Sequence, residues 1–269
     1  QCLVGSEMCI RDRPAPASAV LSGIIVKSGV LGIIRVVYFI FGASFLQGTW
    51  VQKVFLGLAL GTVFLGSMLA YLEKGLKKRL AYSTVSQVSY ILFGLMLLNP
   101  VGMTGAFLHV LFHAVIKSGL FLCAGAIIFR TGKTRVEDLK GIGKEMPVTA
   151  GCMTLLSLSL IGIPPAGGFV SKWYLAVGSL SSDTGVFRWL GPLVLLLSAL
   201  LTAGYLLPIA MRGFFPGEEA QSKGFVRKEA DSVMLIPILL LTILAVVPGM
   251  FPGGLLSFIN QIAQQLFPM

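Results

Sequence analysis

Long apolar runs dominate this chain, separated by short segments that collect most of the charge. A helix needs about 20 apolar residues to cross the ~30 Å hydrocarbon core of a bilayer. Seven runs fit: about Ala17 to Phe41, Val51 to Leu72, Leu80 to Leu98, Met103 to Phe129, Val148 to Leu180, Trp189 to Phe214 and Ser232 to Met250. The fifth is too long for one plain span and is interrupted by GIPPAGG (162–168). There Pro164 and Pro165 remove backbone donors, while Gly162, Gly167 and Gly168 loosen the chain. Such a break is tolerated at membrane depth where the freed backbone is buried in protein or lines a wet cavity. The last stretch, 253–267, is amphipathic but short and reads as an interfacial helix. The pattern predicts an all-α polytopic membrane protein of about seven transmembrane helices, one broken at Pro164-Pro165. Residues 14–250 form its membrane domain and 251–269 an amphipathic tail. Residues 1–13, QCLVGSEMCIRDR, lack periodicity and a starting Met and resemble translated sequencing adapter. They are expected to be non-native, with the natural chain beginning upstream of Pro14.

Composition agrees. The 269 residues are 55% hydrophobic and only 12% charged, where a soluble domain is about a quarter charged; mean hydropathy is +0.88. The net charge of +10 does not point to nucleic acid, because of where the charges lie. Of 21 basic residues, thirteen fall in the segments after spans two, four and six. Those three loops lie on one face, which the positive-inside rule makes cytoplasmic, with the carboxy terminus outside a bacterial-type cell membrane. Lys27, Lys117 and Lys172 are different: they sit inside apolar runs. All 11 acids lie in the tail, loops or helix edges, so these lysines have no counter-ion within the spans. The cysteines, Cys2, Cys9, Cys123 and Cys152, form no CxxC pair and read as small hydrophobes.

The run from Met103 to Phe129 carries His109, His113 and Lys117 at intervals of four. Four residues advance a helix by about 400°, so the three drift only ~40° per step and form one stripe ~12 Å long. Lys117 falls near mid-span, where a lysine costs roughly 2.5–3.5 kcal/mol on insertion scales. Snorkelling suits Lys53 but not Lys27 or Lys117. An ammonium with no counter-ion is poised to take up and release protons, and imidazoles in line with it suit a relay; satisfied hydrogen-bonding is the plain alternative for the histidines. A metal site needs further ligands, and an i, i+4 pair cannot hold opposite faces of one haem iron. No metal, cofactor or catalytic residue is expected. Lys172 lies just past the break, where a half-helix terminus and water can meet it, unless the break is a simple kink with a snorkelling lysine. In the third run, Tyr82, Ser83, Thr84, Ser86, Gln87, Ser89 and Tyr90 suit either the lining of an aqueous path, chiefly Ser83, Thr84, Ser86 and Gln87, or interhelical glue.

KKRLAYSTVSQVSY (77–90), LHVLFHAVIKSGLFLCAG (108–125) and IGIPPAGGFVSKWYL (161–175) resemble the antiporter-like proton-conducting subunits. These are the large membrane subunits of respiratory complex I and the D-type subunits of Mrp cation/proton antiporters. PAPAS upstream of Lys27 extends the resemblance to most of the chain. It implies fourteen helices in two inverted five-helix repeats, of which this chain holds the end of the first, the whole second and the final helix. It implies further that Lys117 and Lys172, with His109 and His113, form a second half-channel, and that Lys27 links the two halves. The acid often preceding the basic pair is here Gly75, and the first half-channel with its glutamate is absent. The function implied is proton translocation within an NADH:quinone oxidoreductase-like or Mrp-type complex, with other membrane subunits, lipid, protons and possibly Na+ as partners. No redox site is expected on this chain. A Na+/H+ antiporter subunit without redox coupling, a quinone- or haem-dependent membrane enzyme, and a non-conducting structural subunit remain open alternatives.

Overall fold

The computed structural model describes residues 14–217 and 226–267. The proposed non-native tail, 1–13, lies outside them, as do Glu218, Glu219, Cys2 and Cys9. The membrane helices are α1 Ala15–Phe41, α2 Trp50–Leu72, α3 Leu76–Met96, α4 Pro100–Thr131, α5 Pro147–Ile161, α6 Gly167–Leu180, α7 Phe187–Phe214 and α8 Ser232–Met250, followed by α9 Gly253–Gln265. Five of them, α1, α2, α4, α7 and α8, are each long and apolar enough to cross a membrane. α3 is as long but carries a polar face turned inward. α5 and α6 are the two short halves of the interrupted run.

Local chemistry sets the boundaries. Thr49 accepts from the Gln52 amide at the start of α2. Asn99 accepts from the Gly102 amide at 2.7 Å, and Pro100 occupies the first turn of α4, where a missing N–H costs nothing. Gly132, left-handed with φ 71°, ends α4. α1 contains wide π-type turns at Leu21–Ile25 and Arg35–Phe41, the first just ahead of Lys27. Helices run past the apolar runs into their charged flanks. Arg79 therefore sits in the first turn of α3 rather than in a loop, its guanidinium donating to the Glu73 and Tyr205 carbonyls.

α4 is the central post. It packs against α1, α3, α5, α6, α8 and α9, and 67% of its apolar window is buried, against 22–39% in the other four long spans. The three basic segments are knitted together at one end of the bundle. Gly75 pairs with Arg135, the Gly141 amide donates to Arg212 carbonyl, and the Lys228 amide to Glu145 carbonyl. The even spacing of those loops along the sequence thus corresponds to a shared end. At the opposite end, Tyr38 donates to Leu95 carbonyl, Asn99 to Gly178 carbonyl and Thr104 to Asn260 of α9.

The break lies where the prolines and glycines put it. α5 stops at Ile161 because Gly162 turns left-handed at φ 93°. α6 then starts at Gly167, and a Cβ on Gly168 would stand 1.8 Å from the Ser159 carbonyl oxygen. Only glycine lets the two halves approach so closely.

Candidate functional site

α3 and α4 run antiparallel, and their polar stripes face one another. Lys117, with no exposed surface, donates to Leu80 carbonyl at 2.8 Å and to the Ser83 hydroxyl. Two turns along, the His109 ring stacks on Tyr90 with centroids 5.4 Å apart and planes 16° from parallel. In that register Gln87 falls at the level of His113. The i, i+4 stripe on α4 is met on α3 by Ser83, Gln87 and Tyr90, spaced four and then three. His109 and His113 themselves stack at 6.0 Å and 9°.

α1 joins at the Lys117 end. Lys27, 8% exposed, donates to Ser22 carbonyl one turn back. The Ser22 hydroxyl pairs with Thr84 at 2.9 Å, and Thr84 donates to Leu80 carbonyl at 3.0 Å. That carbonyl also receives Lys117. Lys27 and Lys117 are therefore held by the carbonyls of Ser22 and Leu80, with the Ser22 and Thr84 hydroxyls between them.

α6 joins at the His109 end. The Ser171 hydroxyl lies 3.0 Å from Gly168 carbonyl and 2.9 Å from His109 Nδ1, and its single proton serves one of the two at a time. Lys172 folds back across the break, donating to Leu160 carbonyl at 2.7 Å and Ile161 carbonyl at 2.9 Å. These are among the last carbonyls of α5, which have no helical partner, and a cation there also meets the negative end of the helix dipole. Lys172 Nζ lies 5.2 Å from the centre of the Tyr90 ring as well.

All five titratable residues singled out by sequence converge on one track through α1, α3, α4 and α6, buried at Lys27, His109, His113 and Lys117 and half-buried at Lys172. Ser83 and Thr84 lie on it. Ser86 does not: it bonds Ser67 and Val63 carbonyl on α2 and lies 3.3 Å from Ser198 on α7. Among the described residues no Asp or Glu lies inside a spanning helix, and the lysines are held by neutral oxygens. Between the bonded ends, both nitrogens of His113, Nε2 of His109 and the Gln87 carboxamide are buried and have no protein hydrogen-bond partner among the described residues. Buried polar atoms of this kind need a partner, which in a roomy polar site is water. Ser22 and Ser171 were not singled out from the sequence. Tyr90 was, as the end of the polar run on α3. Cys123 and Cys152 are buried thiols away from the track.

A profile described as "NADH:quinone oxidoreductase/Mrp antiporter, TM" matches residues 10–202. NADH-quinone oxidoreductase subunit N of Desulforudis audaxviator is 38% identical over 261 residues, covering 93% of this chain and 51% of the relative. F(420)H(2) dehydrogenase subunit N of Methanosarcina mazei is 30% identical over 264 residues, covering 95% and 52%. A chain in the structure of the Mrp complex from Dietzia sp. DQ12-45-1b superposes with a TM-score of 0.81 at 26% identity, covering 94% of this chain and 54% of that one. The chain spans about half the length of these relatives.

Proposed function

The chain belongs to the NADH:quinone oxidoreductase/Mrp antiporter transmembrane family, and we propose that it forms a proton-conducting half-channel of a larger membrane complex. Protons pass between Lys27 and Lys117 along the Ser22 and Thr84 hydroxyls, with water bridging each end, because the Ser22 and Leu80 carbonyls that hold the two ammoniums only accept. They continue by Gln87, His113 and His109, with water filling the unbonded gap, to Lys172 at the broken helix. The observation that carries this reading is the convergence of five titratable side chains from three separated segments on one track, four of them buried and Lys172 half-buried. A purely structural subunit would gain nothing from placing three lysines inside the spans with no carboxylate there.

The complex we favour is redox-linked, because the chain is 38% identical to a NADH-quinone oxidoreductase subunit and 26% identical to the superposed Mrp chain. An Mrp-type antiporter subunit is the second reading, supported by the 0.81 TM-score. On either reading the knitted basic end faces the cytoplasm and α9 lies at the outer surface. The test is Lys117→Met in the full-length protein, assembled and reconstituted in vesicles. Proton translocation should be lost while the complex still assembles; unaltered translocation would refute the assignment.

A further inference from the structure

Tyr90 is wholly buried, and its hydroxyl donates to Leu195 carbonyl on α7 at 2.9 Å, which fixes the ring. That ring touches both charge carriers at the broken-helix end: His109 stacks on it, and the Lys172 nitrogen lies 5.2 Å from its centre. An ammonium has three donors. Two of those on Lys172 go to Leu160 and Ile161 carbonyls, which leaves one, and the centre of the Tyr90 ring is 5.2 Å from the nitrogen. A cation within about 6 Å of a ring centre is drawn to the negative face of its quadrupole, more so when water is excluded. No carboxylate inside the spans competes for this charge among the described residues.

We propose that Tyr90 is the positioning residue for Lys172, its ring face holding the ammonium against the end of α5 and beside His109. This rests on the proton-conducting reading above. It assigns to the ring, not to the hydroxyl, a role that a carboxylate fills in an ion pair. The hydroxyl only pins the ring to α7.

The test replaces Tyr90 in the full-length, reconstituted complex with phenylalanine and then with mono-, di- and trifluorophenylalanine. Fluorine is close to hydrogen in size, so packing is kept while the quadrupole is progressively cancelled, and a structural role for the ring would not respond. Proton flux should fall with each fluorine, to about a tenth of the phenylalanine value for the trifluoro ring. A flat series with the complex assembled overturns the proposal. Loss of flux in Tyr90→Phe itself also overturns it, because that assigns the role to the bond with Leu195. Lys172→Met, run alongside, separates the two levels of the argument. If it stops flux and the fluorinated series is flat, only the role of Tyr90 fails; if it leaves flux intact, the conducting role of Lys172 fails first.

Discussion

Thr84→Val is the sharpest probe of the link between α1 and α4. The Thr84 hydroxyl stands between the Ser22 hydroxyl at 2.9 Å and Leu80 carbonyl at 3.0 Å, and the proposed route between Lys27 and Lys117 runs along these two hydroxyls, with water bridging to each ammonium. Valine keeps the branched shape and removes the oxygen. A buried hydrogen bond contributes about 1–1.5 kcal/mol net. If the hydroxyl carries the proton, losing it raises the barrier by a comparable amount, and 1.36 kcal/mol is tenfold in rate. Proton flux in vesicles should therefore fall about tenfold in Thr84→Val and recover in Thr84→Ser. Because Ser22 and Thr84 act as one link, Ser22→Ala with Thr84→Val should be little worse than Thr84→Val alone. Flux within twofold of wild type in Thr84→Val would refute the route. Multiplying losses in the double variant would show that the two hydroxyls act separately.

Three further changes probe the frame. Ser171→Ala removes the hydrogen-bond partner of His109 Nδ1 and should lower flux about tenfold; Ser171→Thr should retain it, and equal flux in both variants would detach His109 from the path. Glu229 accepts from the Val148 amide at 2.8 Å and the Thr149 hydroxyl at 2.6 Å, capping α5 from the segment before α8. Glu229→Ala should cost about 1–2 kcal/mol, a fall of about 4 °C in the thermal midpoint of the purified protein, and an unchanged midpoint would exclude the cap. Gly168→Ala puts a methyl 1.8 Å from Ser159 carbonyl, beyond what small shifts absorb. Extractable, folded protein should be lost, and normal yield would show that the break can widen.

The spans were legible because each buries a long apolar run, and the break because Pro164 and Pro165 cannot continue a helix. Helix ends were less so. α3 begins at Leu76 and not near Leu80, because its charged first turn lies beyond the apolar stretch that marks a span. The stripe of His109, His113 and Lys117 was visible from spacing alone, but spacing within one helix does not say which neighbour it meets. Ser22 and Thr84 are 62 residues apart in sequence, as are His109 and Ser171, and only packing joins them. Ser86 is instructive in the other direction. It is about 100° round the helix from Gln87, and that angle turns it to α2 and α7 instead of to the lysines.

The missing counter-ions change meaning once the acceptors are known. Breaking a buried ion pair by neutralising one partner strands the other, at about 3–5 kcal/mol. Lys27, Lys117 and Lys172 instead donate to carbonyls, a hydroxyl and, for Lys172, an aromatic face. When one of these lysines gives up its proton, what remains is a neutral amine among neutral groups, and no opposite charge is left unpaired. A chain of such sites can be charged and discharged in turn with repulsion between neighbouring ammoniums as the main cost. On the proposed conducting reading, repulsion of that kind pushes a proton onward, and the absence of carboxylates inside these spans would help to make the track reversible.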